Sequence, residues 1–257
     1  MLGAIIGDIV GSRFEFNNTK DFNFELFTNE CSFTDDTICT IAIANALTDG
    51  DRDYQGWLRC WCKLFNHPMG GYGGSYARWI ASDDPQPYNS FGNGSAMRVS
   101  PVAWWFDTLE EVRAEAEKTA LPTHNHPEGI KGAVATAEAI FLARKYGKRE
   151  MLMAMTNYYP QWVEPLLGRN RFDETCQGTM PVVFGIISKA NSFEEAIRYA
   201  IAVGGDSDTI GAIVGSIAEA IWGIPEHIYQ KALEYLPGTM DVVISNFFQT
   251  LNEKRKG

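Results

Sequence analysis

Apolar residues recur along most of this chain at helical spacing. In segments 38–47, 109–119, 129–146, 193–203 and 209–222, Ala, Ile, Leu and Glu alternate so that one face of each segment is apolar, the pattern of helices packed against a core. No stretch of similar length alternates residue by residue, as a half-buried strand would. The run Val182-Val183-Phe184-Gly185-Ile186-Ile187 fits either element, and its neighbours favour a buried helix. The pattern therefore predicts an all-α fold in a single domain over 1–257. Ser192 with Glu195 three residues on has the form of a capping box, and Pro101, Pro127 and Pro225 stand where helices begin or stop.

Two features interrupt this regularity. Residues 68–101, rich in glycine and punctuated by proline, form the longest region without helical pattern, which predicts a binding loop rather than a linker. The second is an echo between Gly3-Ala4-Ile5-Ile6-Gly7 and Gly211-Ala212-Ile213-Val214-Gly215. Glycine at i and i+4 leaves a flat strip on a helix, so the first and penultimate helices are expected to pack closely.

Composition narrows the function classes. Of 257 residues, 45% are hydrophobic, enough for a substantial core, which argues against intrinsic disorder. With 22 Lys+Arg against 32 Asp+Glu the formal charge is −10, which disfavours bulk nucleic acid and anionic membranes as partners. The 5 cysteines are too few and too irregular for a disulfide framework. No stretch reads as a secretory signal or a membrane span, so a cytoplasmic protein is expected. Oligomeric state is not legible.

The chemistry concentrates in two acidic clusters, each heading an apolar helix. One is Phe33-Thr34-Asp35-Asp36-Thr37; the other is Gly204-Gly205-Asp206-Ser207-Asp208-Thr209. Capping accounts for one Asp or Thr at each start. Two carboxylates within three residues exceed what one helix terminus uses, and the surplus points to a cation. With oxygen donors and no nearby Cys or His, the expected ion is hard, Mg²⁺ or Mn²⁺ rather than Zn²⁺. Should both helix starts converge, four carboxylates would hold two such ions. His124-Asn125-His126 lacks the further soft ligands of a zinc site.

Five motifs, in this order, resemble those of the ADP-ribosylglycohydrolases of the dinitrogenase-reductase-activating type. They are Gly7-Asp8-Ile9-Val10-Gly11-Ser12-Arg13-Phe14-Glu15, Phe33-Thr34-Asp35-Asp36-Thr37, Gly92-Asn93-Gly94-Ser95-Ala96-Met97-Arg98, His124-Asn125-His126-Pro127, and Gly204-Gly205-Asp206-Ser207-Asp208-Thr209-Ile210-Gly211. The resemblance implies an all-α domain with a binuclear Mg²⁺ or Mn²⁺ centre. Its implied reaction is hydrolysis of the bond between the anomeric ribose carbon of ADP-ribose and an acceptor, in an ADP-ribosylated protein or a small-molecule conjugate.

Carried over by position, the resemblance makes Thr34, Asp35, Asp36, Asp206, Asp208 and Thr209 the metal ligands, with Thr34 and Asp208 bridging. Asp35, Asp36 and Glu15 become the candidate catalytic carboxylates. Asn93, Gly94, Ser95, Met97 and His126 become the ADP-ribose contacts. The backbone of Gly92-Asn93-Gly94-Ser95 also suits an anion nest for a diphosphate, and the run Gly70-Gly71-Tyr72-Gly73-Gly74 is expected nearby. Phe16, Tyr72, Tyr88 and Phe91 are candidates for the rim that selects the acceptor. Two alternatives stay open: a di-metal nucleotide phosphohydrolase, and a non-catalytic, crystallin-like structural member of the family.

Overall fold

The computed structural model describes residues 1–256. Among them the chain forms fourteen α-helices and no strand. In order these are α1 (Leu2–Gly11), α2 (Asp35–Asp49), α3 (Tyr54–Leu64), α4 (Gly74–Ala81), α5 (Gly94–Arg98), α6 (Ser100–Trp105) and α7 (Leu109–Ala120). They continue as α8 (Pro127–Tyr146), α9 (Lys148–Met155), α10 (Cys176–Lys189), α11 (Phe193–Ala202), α12 (Ser207–Trp222), α13 (Glu226–Leu233) and α14 (Gly238–Lys254). The fold is all-α, as the periodicity predicts, and the run 182–187 lies inside the buried helix α10.

Helix α12 is the axis of the molecule. Every residue from Ser207 to Glu219 is buried, because α1, α8, α10 and α11 pack around it. A helix apolar on all sides is stable in water only when so enclosed. Its tightest neighbour is α1, and the glycine echo explains the closeness. A Cβ on Gly3 would overlap the carbonyl of Gly215, and one on Gly7 the carbonyl of Gly211. The pairs run in opposite directions along the two helices, so the end of α1 meets the start of α12: a Cβ on Gly11 would lie 2.6 Å from Asp208 Cα. The partner of α1 is the antepenultimate helix rather than the penultimate one, since both α13 and α14 follow it.

Capping follows the local sequence. Ser192 accepts from the Glu195 N–H at 3.1 Å, while the Glu195 carboxylate reaches one residue further back, to the N–H of Asn191 at 2.8 Å. The region 68–101 is less irregular than its composition suggests. Tyr76, Trp79 and Ile80 share a buried face of α4, and that three-to-four spacing is helical despite the glycines before it. The five cysteines are free thiols. None of the helices among the described residues is long and apolar enough to cross a membrane.

Candidate metal centre and cleft

The close approach of α1 and α12 decides where the acids meet. One turn beyond α1, Glu15 projects back toward the start of α12. Glu15, Asp206 and Asp208 each place a carboxylate oxygen within 4.8 Å of the other two. The second cluster joins from α2, where the Thr209 hydroxyl donates to Asp36 Oδ2 at 3.2 Å. Both helix starts therefore converge, the condition on which four carboxylates can share a site.

The turn before α12 is shaped for this. Gly204 and Gly205 have φ of 83° and 93°, a left-handed pair that side chains with a Cβ resist. Two asparagines clamp it. Asn18 donates to the Gly205 carbonyl at 2.9 Å and accepts from the Gly205 N–H at 2.8 Å, while Asn170 donates to the Gly204 carbonyl at 3.0 Å. Asn18 also holds the Phe14 carbonyl at 2.7 Å, which ties the Glu15 segment to the same turn.

The start of α2 is held from below by Asp8. Its carboxylate accepts from the Thr34 N–H at 3.0 Å, the Thr34 hydroxyl at 2.7 Å, the Thr37 N–H at 3.0 Å and the Thr37 hydroxyl. Thr34 Oγ1 in turn caps the helix by accepting from Asp36 N–H at 3.2 Å. Thr34 is fully buried behind the cleft surface, whereas Asp35, Asp36, Asp206, Asp208 and Thr209 all line the cleft.

Electrostatically this cluster is unbalanced. No lysine or arginine among the described residues forms an ion pair with any of these acids. Burial, with the neighbouring carboxylates added, pushes Asp35, Asp36 and Asp208 well above the usual carboxylate range. Burial raises Asp206 as well. Asp8 rises to about 6 through burial, held down in part by its four donors. Glu15 rises to about 7, through burial first and then Asp206 and Asp8. In addition, Asp36 Oδ1 and Asp208 Oδ1 are buried with no hydrogen-bond partner. A buried, unpartnered carboxylate oxygen is costly, and a hard cation relieves both the orphaned oxygens and the like-charge crowding. The donors present thus fit divalent cations of the Mg²⁺ or Mn²⁺ kind.

Above the acids opens a cleft of about 380 Å³, within the range of small-molecule sites. Its opposite wall is made by Gly92–Gly94, Met97 and His124, with Gly70–Gly74 at one side, as the glycine run predicts. Asn93 bridges the two walls: its amide donates to Asp206 Oδ2 at 2.7 Å and to Thr179 Oγ1 at 3.0 Å. Its backbone N–H is already engaged, donating to the Glu174 carbonyl at 2.7 Å, so an anion nest here can begin only at Gly94. The Ser95 hydroxyl turns inward to the Gly129 carbonyl at 2.7 Å.

A ligand contact is expected of His126, and the cleft wall carries His124. His126 caps α8, its Nδ1 accepting from Glu128 N–H at 3.1 Å, and its ring packs against Phe91. His124 lines the cleft. Of the rim candidates, Phe16, Tyr72 and Tyr88 border the cleft and Phe91 does not. Sequence reasoning assigned no role to Asp8, Asn18, Arg98 or Glu174. Only Asp8 had a signal, a lone acid within the apolar run Ile5-Ile6-Gly7-Asp8-Ile9-Val10, where an unpaired charge is costly.

Comparison with known proteins agrees with this architecture. The family model for ADP-ribosylglycohydrolase matches residues 1–256, and the chain belongs to that family. Human ADP-ribosylhydrolase ARH3 is 24% identical over 331 residues, covering 91% of this chain and 88% of its own. The ADP-ribosylarginine hydrolase Tri1 of Pseudomonas putida is 22% identical over 276 residues, covering 87% of this chain and 70% of its own. A solved ADP-ribosylglycohydrolase-related protein complex contains a chain of the same fold, with a TM-score of 0.74 and 22% identity over 96% of both chains.

Proposed function

We propose that this member of the ADP-ribosylglycohydrolase family hydrolyses the glycosidic bond between ADP-ribose and an acceptor, with two divalent cations bound among its acids. The observation that carries the reading is the set of convergent carboxylates, with two orphaned buried oxygens and, among the described residues, no ion pair to a lysine or arginine, at the floor of a cleft whose other wall includes glycine and histidine. Asp35, Asp36, Asp206, Asp208 and Thr209 would hold Mg²⁺ or Mn²⁺ from the cleft surface, with Thr34 behind them. When bound, such ions polarise a water and orient sugar hydroxyls.

The chain's own part is proton transfer and positioning. Glu15 is half-buried and lines the cleft with a carboxylate oxygen within 4.8 Å of Asp206 and Asp208, a position from which it can accept and return a proton. In this reading Glu15 takes the proton of the attacking water as the bond from the anomeric carbon to the acceptor breaks, and returns it to the leaving nitrogen or oxygen. Asp35 is the second candidate for this transfer. Gly70, with φ of 77°, packs directly against the Glu15 carboxylate, and any Cβ there would displace it. Asn93 keeps Asp206 aimed at the cleft. Gly94, Met97 and His124 would receive the diphosphate and ribose from the other side.

The test is turnover of ADP-ribosyl-arginine and ADP-ribosyl-serine peptides by the purified chain with Mg²⁺, Mn²⁺ or EDTA. Release of intact ADP-ribose, abolished by EDTA, is expected. Release of AMP would instead identify a phosphohydrolase, and undiminished turnover in EDTA would remove the cations from the mechanism.

A further inference from the structure

Arg98, at the end of α5, is only 1% exposed, and among the described residues it pairs with no carboxylate. Its Nη2 donates to the Thr119 carbonyl and to Thr123 Oγ1, both at 2.9 Å. Thr123 Oγ1 stands 2.7 Å from His124 Nδ1.

The donor and acceptor inventory orders these protons. A guanidinium has donors only, so Thr123 Oγ1 accepts from Arg98. The hydroxyl's own buried proton is left without a partner unless it is given to the acceptor within reach, His124 Nδ1. A neutral imidazole that accepts at Nδ1 carries its proton on Nε2. Burial and the adjacent Arg98 charge hold His124 well below its usual pKa, which keeps the ring neutral, and the Tyr88 ring, 6.3 Å away, brings no carboxylate to oppose them. Nε2 overlooks the glycine turn on the cleft wall: Cβ atoms on Gly94 and Gly92 would lie 3.2 and 3.5 Å from it.

We propose that Arg98 and Thr123 are positioning residues that lock His124 as its Nε2–H tautomer, so that one fixed N–H is presented across the Gly92–Gly94 turn to a phosphoryl oxygen of the ligand. This deepens the ADP-ribose reading and rests on it for the ligand. A phosphoryl oxygen can only accept, and the other tautomer would turn a lone pair toward it.

The protonation of His124 is measurable without turnover. Nitrogen-15 NMR of histidine-labelled protein distinguishes the four imidazoles, with His124 identified by its absence in His124→Gln. Wild type is expected to show a protonated Nε2 and a bare Nδ1. Thr123→Val is expected to mix the tautomers and to weaken ADP-ribose binding by calorimetry about tenfold, while Thr123→Ser keeps both properties. A protonated Nδ1 in wild type, or a Thr123→Val protein with unchanged tautomer and affinity, would overturn the lock. Failure of wild type to bind ADP-ribose would instead overturn the functional reading, with the tautomer still deciding the relay.

Discussion

The two helix starts that meet under the cleft use similar residues and are held in opposite ways. At α2 the capping work falls to the Thr34 hydroxyl, and that threonine is itself gripped by Asp8 from the core side. Asp35 and Asp36 are thereby left over from capping. At α12 the residue in the capping position, Asp206, makes no capping bond at all; its carboxylate is drawn sideways by Asn93 at 2.7 Å. What fixes α12 is backbone contact with the glycines of α1, with Asn18 and Asn170 holding the backbone of the turn before it, rather than a side-chain cap. A helix start can thus offer carboxylates to a ligand in two ways. Either a hydroxyl caps in their place, or neighbouring backbone positions the helix so firmly that no cap is needed.

The largest effect should come from removing a buried carboxylate with an orphaned oxygen where the two starts meet. Asp208→Ala is expected to lower turnover of an ADP-ribosyl peptide about 1000-fold, since a catalytic cation contributes several kcal/mol. Calorimetry should show a parallel loss of Mg²⁺ affinity, and retained affinity would mean α2 alone suffices. Next comes the α12 side: Gly7→Ala drives a methyl into the Gly211 carbonyl and should cost about 3 kcal/mol or prevent folding. A melting temperature close to wild type would show that α12 is not held as described.

On the α2 side, Asp8→Asn tests the polar grip. With the amide oxygen serving the Thr34 and Thr37 N–H donors, the amide nitrogen faces the Thr34 hydroxyl and reverses it. Mg²⁺ affinity should fall about 10–100-fold with the fold intact, the usual scale for a residue behind the ligands. An unchanged affinity would make Asp8 a structural cap and nothing more.

The smallest effect is a pH dependence. Asp8 at about 6 and Glu15 at about 7 both lie above their ordinary values, so the folded, metal-free protein binds more protons than the unfolded chain. Their contribution to stability is full below pH 4 or so and is lost as pH rises toward 7. Without divalent cation, the melting temperature relative to the Mg²⁺-loaded protein should fall by several degrees between pH 5 and 7. A constant gap would show that the acids titrate normally.

Much of this was open to reading from the chain. Helices show as period-3.6 runs because a buried face must be apolar, and the glycine echo announces a close crossing because only backbone can approach backbone at such a distance. The acid clusters are visible because two carboxylates beside one helix start exceed its needs. The inward turn of Ser95 to Gly129 and the engagement of Asn93 N–H by Glu174 were not visible, since both depend on partners 34 and 81 positions away (129 − 95 and 174 − 93). The choice between His124 and His126 was equally hidden. Each sits beside a helix start, and only the packing of Thr123 and Arg98 turns one into the cleft while the other caps α8.

Sequence by itself determined the helices, their contact faces and the kinds of ligand atom available, because these follow from local spacing and residue chemistry. Tertiary structure decided which polar groups remain free for a ligand. That depends on where every other donor and acceptor ends up, a count that closes only when the whole chain is packed.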